Sequence, residues 1–285
     1  MPYYEIALSY QALQDYPNAI KYADESILKK DDSELSAYII KGSATDDAGD
    51  TKGAIKIYEK AIKRFPENYL LQFNYGISSA RMGEIGEAEK AYIKALQLNA
   101  SHPTSNLVLA YLNLDKGNKT KGILGLYFFL LLENNTERAK TAFDRLHSTL
   151  YDGVSTDDGG KNTTITLSPQ DDEGDMAAEL GLKMMIMESA KNNADKNRYE
   201  RLALDTDSFF ELVSELDGNK KKKKKDGLDV WSEIYVPIFY GIHEKGYAEA
   251  FAYHIASATQ DSVISTWLEN NQEKMSAFYK WLENN

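Results

Sequence analysis

The sequence contains no cysteine, which removes disulfides, thiolate metal sites and a cysteine nucleophile together while leaving the compartment open. Histidine is scarce. The four, His102, His147, His243 and His254, are scattered, and none forms an HExxH pair that would set two metal ligands on one helical face. Basic charge is also in deficit: 33 Lys and Arg stand against 44 Asp and Glu, a net charge of -11. That balance opposes any general affinity for nucleic-acid phosphates or anionic membranes. Long apolar runs are missing too, since the longest, Ile123 to Leu132, falls far short of the ~20 residues a membrane-spanning helix needs. No signal peptide precedes the first helix. Met1 and Pro2 stand directly against helical sequence at Tyr3 without a capping residue, so a missing upstream segment is expected and localisation is left unassigned.

What is present is an ordinary globular composition, 42% hydrophobic and 27% charged over 285 residues, enough for a sizeable core and about two domains. The decisive feature is internal repetition. Small residues Ala7, Gly42, Gly76 and Ala110 recur at spacings of 35, 34 and 34, and twelve residues after each comes Ala19, Ala54, Ala88 or Gly122. A third column runs Ser26, Ala61, Ala95, Phe129, and the turns read Gln14-Asp15, Gly49-Asp50, Gly83-Glu84 and Gly117-Asn118. Small side chains at these points let paired helices cross closely, and glycine at the turns supplies the positive φ that ends the first helix.

These columns resemble the tetratricopeptide repeat. The second repeat carries the pattern best, with Tyr38, Gly42, Gly49-Asp50, Ala54, Tyr58, Ala61 and Pro66; the third offers Gly76, Gly83, Ala88, Tyr92 and Ala95. The first lacks the closing proline, and the fourth, with Leu126, Tyr127, Phe128 and Phe129, departs most. The fold expected is all-α: a solenoid of about four helical hairpins plus a terminal helix at 136–150, followed by a smaller helical domain. Domains are placed at 1–150 and 171–285, joined by a linker at 151–170 whose Asp, Gly, Ser and Thr carry turn chemistry. Thr163 to Leu167 alternates like a strand but has no obvious partner. Helices are expected at about 173–194, 198–217, 229–244, 247–257 and 261–283. The Leu130-Leu131-Leu132-Glu133 passage, Arg138-Ala139, Trp231, Tyr235-Val236-Pro237, Trp267-Leu268 and Trp281-Leu282 also resemble a set of bacterial tetratricopeptide proteins with a helical tail, common in the Bacteroidetes, which brings no activity with it.

The resemblance implies a protein or peptide ligand in the concave groove formed by the first helices. Matching positions are Tyr4, Leu8, Ile39, Phe73, Asn74, Ile77, Leu107, Tyr111 and Leu114, a mostly apolar and aromatic lining suited to a hydrophobic peptide. The chain's own C-terminal half or an upstream helix is the competing occupant. Of the family's Lys, Asn and Arg clamp for acidic peptide tails only Asn74 matches, so an acidic ligand is not expected. No cofactor, metal or catalytic residue is assigned. His243 with Glu244 and His254 is the one cluster that would suit an active site, the alternative being an enzyme whose centre lies in the C-terminal helices. The carboxylates Asp171, Asp172, Glu173 and Asp175 open a helix, where the dipole favours them. Lys220 to Lys225, between glycines and without interleaved aromatics, reads as an exposed loop rather than a nucleic-acid site.

Overall fold

A computed structural model of the chain describes residues 2–30, 32–156, 163–166, 173–218 and 229–285; the Lys220 to Lys225 run, Asp171 and Asp172 lie outside the described residues. Fifteen α-helices account for most of what is described. Packing gathers the chain into two compact units, Met1–Ser105 and Asn106–Asn285. This is a different cut from one made by repeat membership, because it assigns the fourth hairpin to the second unit.

The first unit stacks three hairpins: α1 (Tyr3–Ala12) with α2 (Tyr16–Lys29), α3 (Glu34–Asp47) with α4 (Thr51–Arg64), and α5 (Tyr69–Arg81) with α6 (Ile85–Leu98). The small columns are its contact points. Ala7, Ala19, Ala54, Ala61, Ala88 and Ala95 are fully buried. A Cβ added at Gly42 would stand 2.4 Å from the Tyr58 ring, and one at Gly76 2.6 Å from Tyr92. Each large aromatic of a second helix thus lies flat on the bare backbone of its own first helix, which is why Gly and Tyr recur sixteen residues apart. The turns are equally regular. Gln14, Gly49 and Gly83 all have positive φ, and Asp15, Asp50 and Glu84 each donate their N–H to a carbonyl five residues back, closing the first helix in a Schellman motif.

In the second unit α7 (Pro103–Asp115) pairs with α8 (Lys119–Leu132), and the turn at Gly117 repeats the motif, with Asn118 N–H on the Asn113 carbonyl. The small residues have changed sides. Gly122 and Gly125 on α8 admit Leu114 and Ala110 of α7, at 2.3 and 2.8 Å from where their Cβ atoms would lie. From Gly122 to Leu131 every residue of α8 is buried. A helix apolar on all sides belongs inside a bundle, and α8 is packed by α9 (Glu137–Tyr151), α10 (Glu173–Asn192), α13 (Ala248–Ala256) and a π-helical turn at Trp231–Tyr235. Tyr127 sits among Phe209, Phe210, Phe239 and Phe251, ring centroids 5.2 to 6.1 Å away, while its hydroxyl meets Thr206 Oγ1 at 2.8 Å.

Three local expectations are corrected. The helix expected over 261–283 is two, α14 (Ser262–Asn270) and α15 (Gln272–Leu282), because Asn271 leaves helical geometry and turns its amide back to the Trp267 carbonyl at 2.9 Å. The helix expected over 229–244 opens as the π turn before α12 (Val236–Glu244). Pro237 has no N–H for the carbonyl four residues back, and the wider turn accommodates its ring. The strand at 163–165 does have a partner: β2 (Thr163–Ile165) pairs antiparallel with β1 (Val154–Thr156), Val154 opposite Ile165. The helix α11 (Arg198–Gly218) and α9 fall where expected, α9 capped by Thr136, whose hydroxyl accepts from Ala139 N–H.

Candidate functional site

In the first unit the expected groove positions fall on α1, α3 and α5. Leu8 is 52% exposed, an apolar side chain held out to solvent. Tyr4, Ile39, Phe73 and Ile77 are half-buried. Tyr4 packs on the Ala7, Ala23 and Ile40 cluster, Ile39 on the cluster of Tyr38, Tyr58 and Leu71, and the Phe73 ring lies 5.1 Å from His102 and 6.0 Å from Tyr92. Each therefore gives part of its surface to the fold and part to solvent. Asn74 donates its amide to the Leu70 carbonyl at 2.8 Å, within its own helix.

At the C-terminal ends of these helices polar groups lace one repeat to the next. Gln11 donates to Ser43 Oγ at 2.6 Å, linking α1 to α3. Ser78 donates to Asp46 Oδ2 at 2.7 Å, and Arg81 holds Asp46 Oδ1 at 2.9 Å and Asp47 at 3.6 Å, linking α3 to α5. Asp46 is 5% exposed, so Ser78 and Arg81 supply the partners that a buried carboxylate requires. Arg81 is thus paired with two carboxylates. The sequence pattern did not single out Ser78 and Arg81; the signal available was their spacing of 32 and 35 residues from Asp46, close to one repeat.

The remaining groove positions lie in the second unit. Leu107 and Leu114 are buried at 8% and 9% exposure, Leu114 in the close contact with Gly122. Tyr111 is half-buried; burial pushes its phenol pKa up, and the charge of Arg145 acts against that.

The histidines have separate partners. His243 Nδ1 meets Asp207 Oδ1 at 2.9 Å. His254 is buried: its Nε2 faces the Leu131 carbonyl at 3.1 Å, while Nδ1 faces the Tyr279 hydroxyl at 3.0 Å and the Asn134 amide at 3.1 Å. A carbonyl can only accept, so Nε2 carries the proton and Nδ1 accepts. Burial holds the pKa of His254 below the ordinary 6.5, keeping the ring neutral as a fastener between α13, α15 and the end of α8. Among the described residues no group of three His, Asp or Glu could hold a metal ion, and no helix is long and apolar enough to cross a membrane.

Two family models of the tetratricopeptide repeat match, over residues 4–69 and 71–102. No curated protein matches the sequence. Among solved structures, MamA protein is similar at 14% identity and a TM-score of 0.44, covering 80% of this chain and 96% of that one. A tetratricopeptide repeat protein from Parabacteroides merdae is similar at 13% identity and a TM-score of 0.46, covering 91% and 98%. Residues 4–102, with their Gly–Tyr contacts and recurring Schellman turns, thus form tetratricopeptide repeats.

Proposed function

We propose that the chain is a non-catalytic protein-interaction module that holds an apolar peptide or helix on the first-helix face of its repeats. The observation that carries this reading is the in-register succession Tyr4 and Leu8, Ile39, Phe73 and Ile77, exposed or half-exposed at equivalent positions of α1, α3 and α5. The repeats themselves support a protein as the partner. Charge narrows its chemistry. Arg81 is already paired to Asp46 and Asp47, which disfavours a carboxylate as its partner, whereas half-exposed aromatics and Leu8 gain from covering apolar surface, about 25 cal/mol per Å².

Affinity capture from a lysate of the source organism tests the reading with three versions of the chain. The wild type and Leu28→Asp, which changes a 75%-exposed leucine on α2, should retain the same partner, and Leu8→Asp should lose it. Equal retention by Leu8→Asp and Leu28→Asp contradicts the groove as the site.

A further inference from the structure

Beyond the interaction face, the second unit contains a pocket of about 350 Å³ lined by Leu114, Lys119, Arg145, Ser148, Thr149 and Asp152. Lys119, at the start of α8, reaches Asp152 Oδ2 at 2.9 Å and Glu179 Oε1 at 3.3 Å. Behind it lie Glu179 and Lys183, four residues apart on α10 and both fully buried, with Lys183 donating to the Asp152 carbonyl. Among the described residues, Lys119, Arg145 and Asp152 thus supply the charge that lines the pocket, with Lys183 and Glu179 buried behind it. Arg145 is exposed, and among the described residues no carboxylate comes within ion-pair distance of it. Burial is the main cause that lowers the pKa of Lys183; the charge of Lys119 adds to it, and the carboxylates of Glu179 and Asp152 act against it. Among the described residues the first turn of α8 has no side-chain cap, and Thr120 Oγ1 beside Lys119 is buried without a hydrogen-bond partner. The positive end of a helix therefore adds to the same field.

We propose that this pocket binds a small oxyanion, the phosphate or carboxylate group of a low-molecular-weight ligand. Arg145 offers the planar donor fork that fits such a group in two-point contact, and Lys119 offers a second charge. The Asp152 side chain is 65% exposed, whereas Glu179 has no exposure. Asp152 can therefore leave Lys119 to an incoming anion while Glu179 stays. In that arrangement the Asp152 carboxylate competes with the ligand for the same ammonium. Because the whole chain carries -11, it repels anions in general, and saturable binding would have to come from a local site.

Calorimetric titration of inorganic phosphate into the full chain, in dilute buffer, reads this directly. Binding should be saturable, weakened roughly tenfold by Arg145→Gln through loss of a charged hydrogen bond, and tightened by Asp152→Asn through loss of the competitor. Acetate added as a rival then separates the sources: displacement at similar concentrations marks a general carboxylate and phosphate pocket, no displacement a phosphate-selective one, and either upholds the oxyanion site. Arg145→Gln removes an unpaired surface group and should unfold at the wild-type urea midpoint. No saturable heat up to about 10 mM phosphate, or equal affinity in the wild type, Arg145→Gln and Asp152→Asn, meaning an adventitious ion only, overturns the proposal.

Discussion

The two units solve the same packing problem in opposite ways. The first keeps its helices close by removing side chains: Gly42 and Gly76 present bare backbone to Tyr58 and Tyr92, and most of its other buried apolar residues are alanine, with Tyr38, Ile40, Leu71 and Leu96 among the exceptions. The second surrounds one wholly apolar helix, α8, with large rings; Phe210 and Phe239 stack at 4.5 Å and Phe251 lies 5.4 Å from Phe210. Removing volume leaves the repeats of the first unit with similar first-helix faces, the surface proposed above for binding. Filling volume turns the large rings around α8 inward, while Met176, Met184, Leu204 and Val263 stay exposed elsewhere on the unit, and Lys119 and Arg145 line a charged pocket.

That difference should show first in cavity-forming changes. Phe210→Ala removes a fully buried ring from the aromatic cluster and is expected to destabilise the chain by about 3–5 kcal/mol, read as a lower urea midpoint at constant slope. In the first unit the sensitive change is the opposite one. Gly42→Ala drives a methyl group into the Tyr58 ring and should cost about 1–3 kcal/mol, while Gly86→Ala on α6, with nothing within 4 Å of the new Cβ, should add roughly 0.5–1 kcal/mol. If Gly42→Ala behaves like Gly86→Ala, the close-contact account of the columns fails.

A pH titration separates the units without altering volume. The His254 pKa is depressed in the fold, so its contribution is fully present above about 6.5, the value it regains on unfolding, and is lost as pH falls below that. Stability of the second unit, followed by hydrogen exchange of α13 amides, should decline below this point, and His254→Gln should flatten the decline. Smallest is the turn at Gln14, where a residue with a Cβ bears the positive φ that Gly49, Gly83 and Gly117 bear in the other hairpins. Gln14→Gly should stabilise by a few tenths of a kcal/mol, detected as a slightly raised thermal midpoint.

The repeat architecture of the first unit was readable in the sequence because each small residue answers to one contact that recurs every 34 or 35 positions. Once the contacts change partners the period fades. In the fourth hairpin the glycines move to Gly122 and Gly125, so its grouping with the C-terminal helices could not be seen from columns alone. The turn at Gly246, where the Tyr247 N–H reaches the Ile242 carbonyl, repeats the Schellman motif without any column, since Phe239 and Phe251 hold this hairpin by size rather than by close approach. Strands of three residues carry too little alternation to reveal a pairing, and the break at Asn271 rests on one side-chain hydrogen bond. Groove positions were legible as positions; their exposure was not, because it depends on which neighbour covers them, as Leu8 and Leu114 show. The Glu179 and Lys183 pair left a faint signal, two charges on the same α10 face as buried Ala178, Leu182 and Ile186.

The claim that the first-helix face of the repeats is the binding surface is tested most directly by photo-crosslinking. A benzophenone side chain placed singly at Leu8, Ile77, Leu13 and Leu28 would be irradiated in cells of the source organism. Adducts to one common protein at Leu8 and Ile77, and none at the more exposed Leu13 and Leu28, are the expected result. Adducts that follow exposure alone, strongest at Leu13 and Leu28, or that appear at all four positions equally, would contradict it.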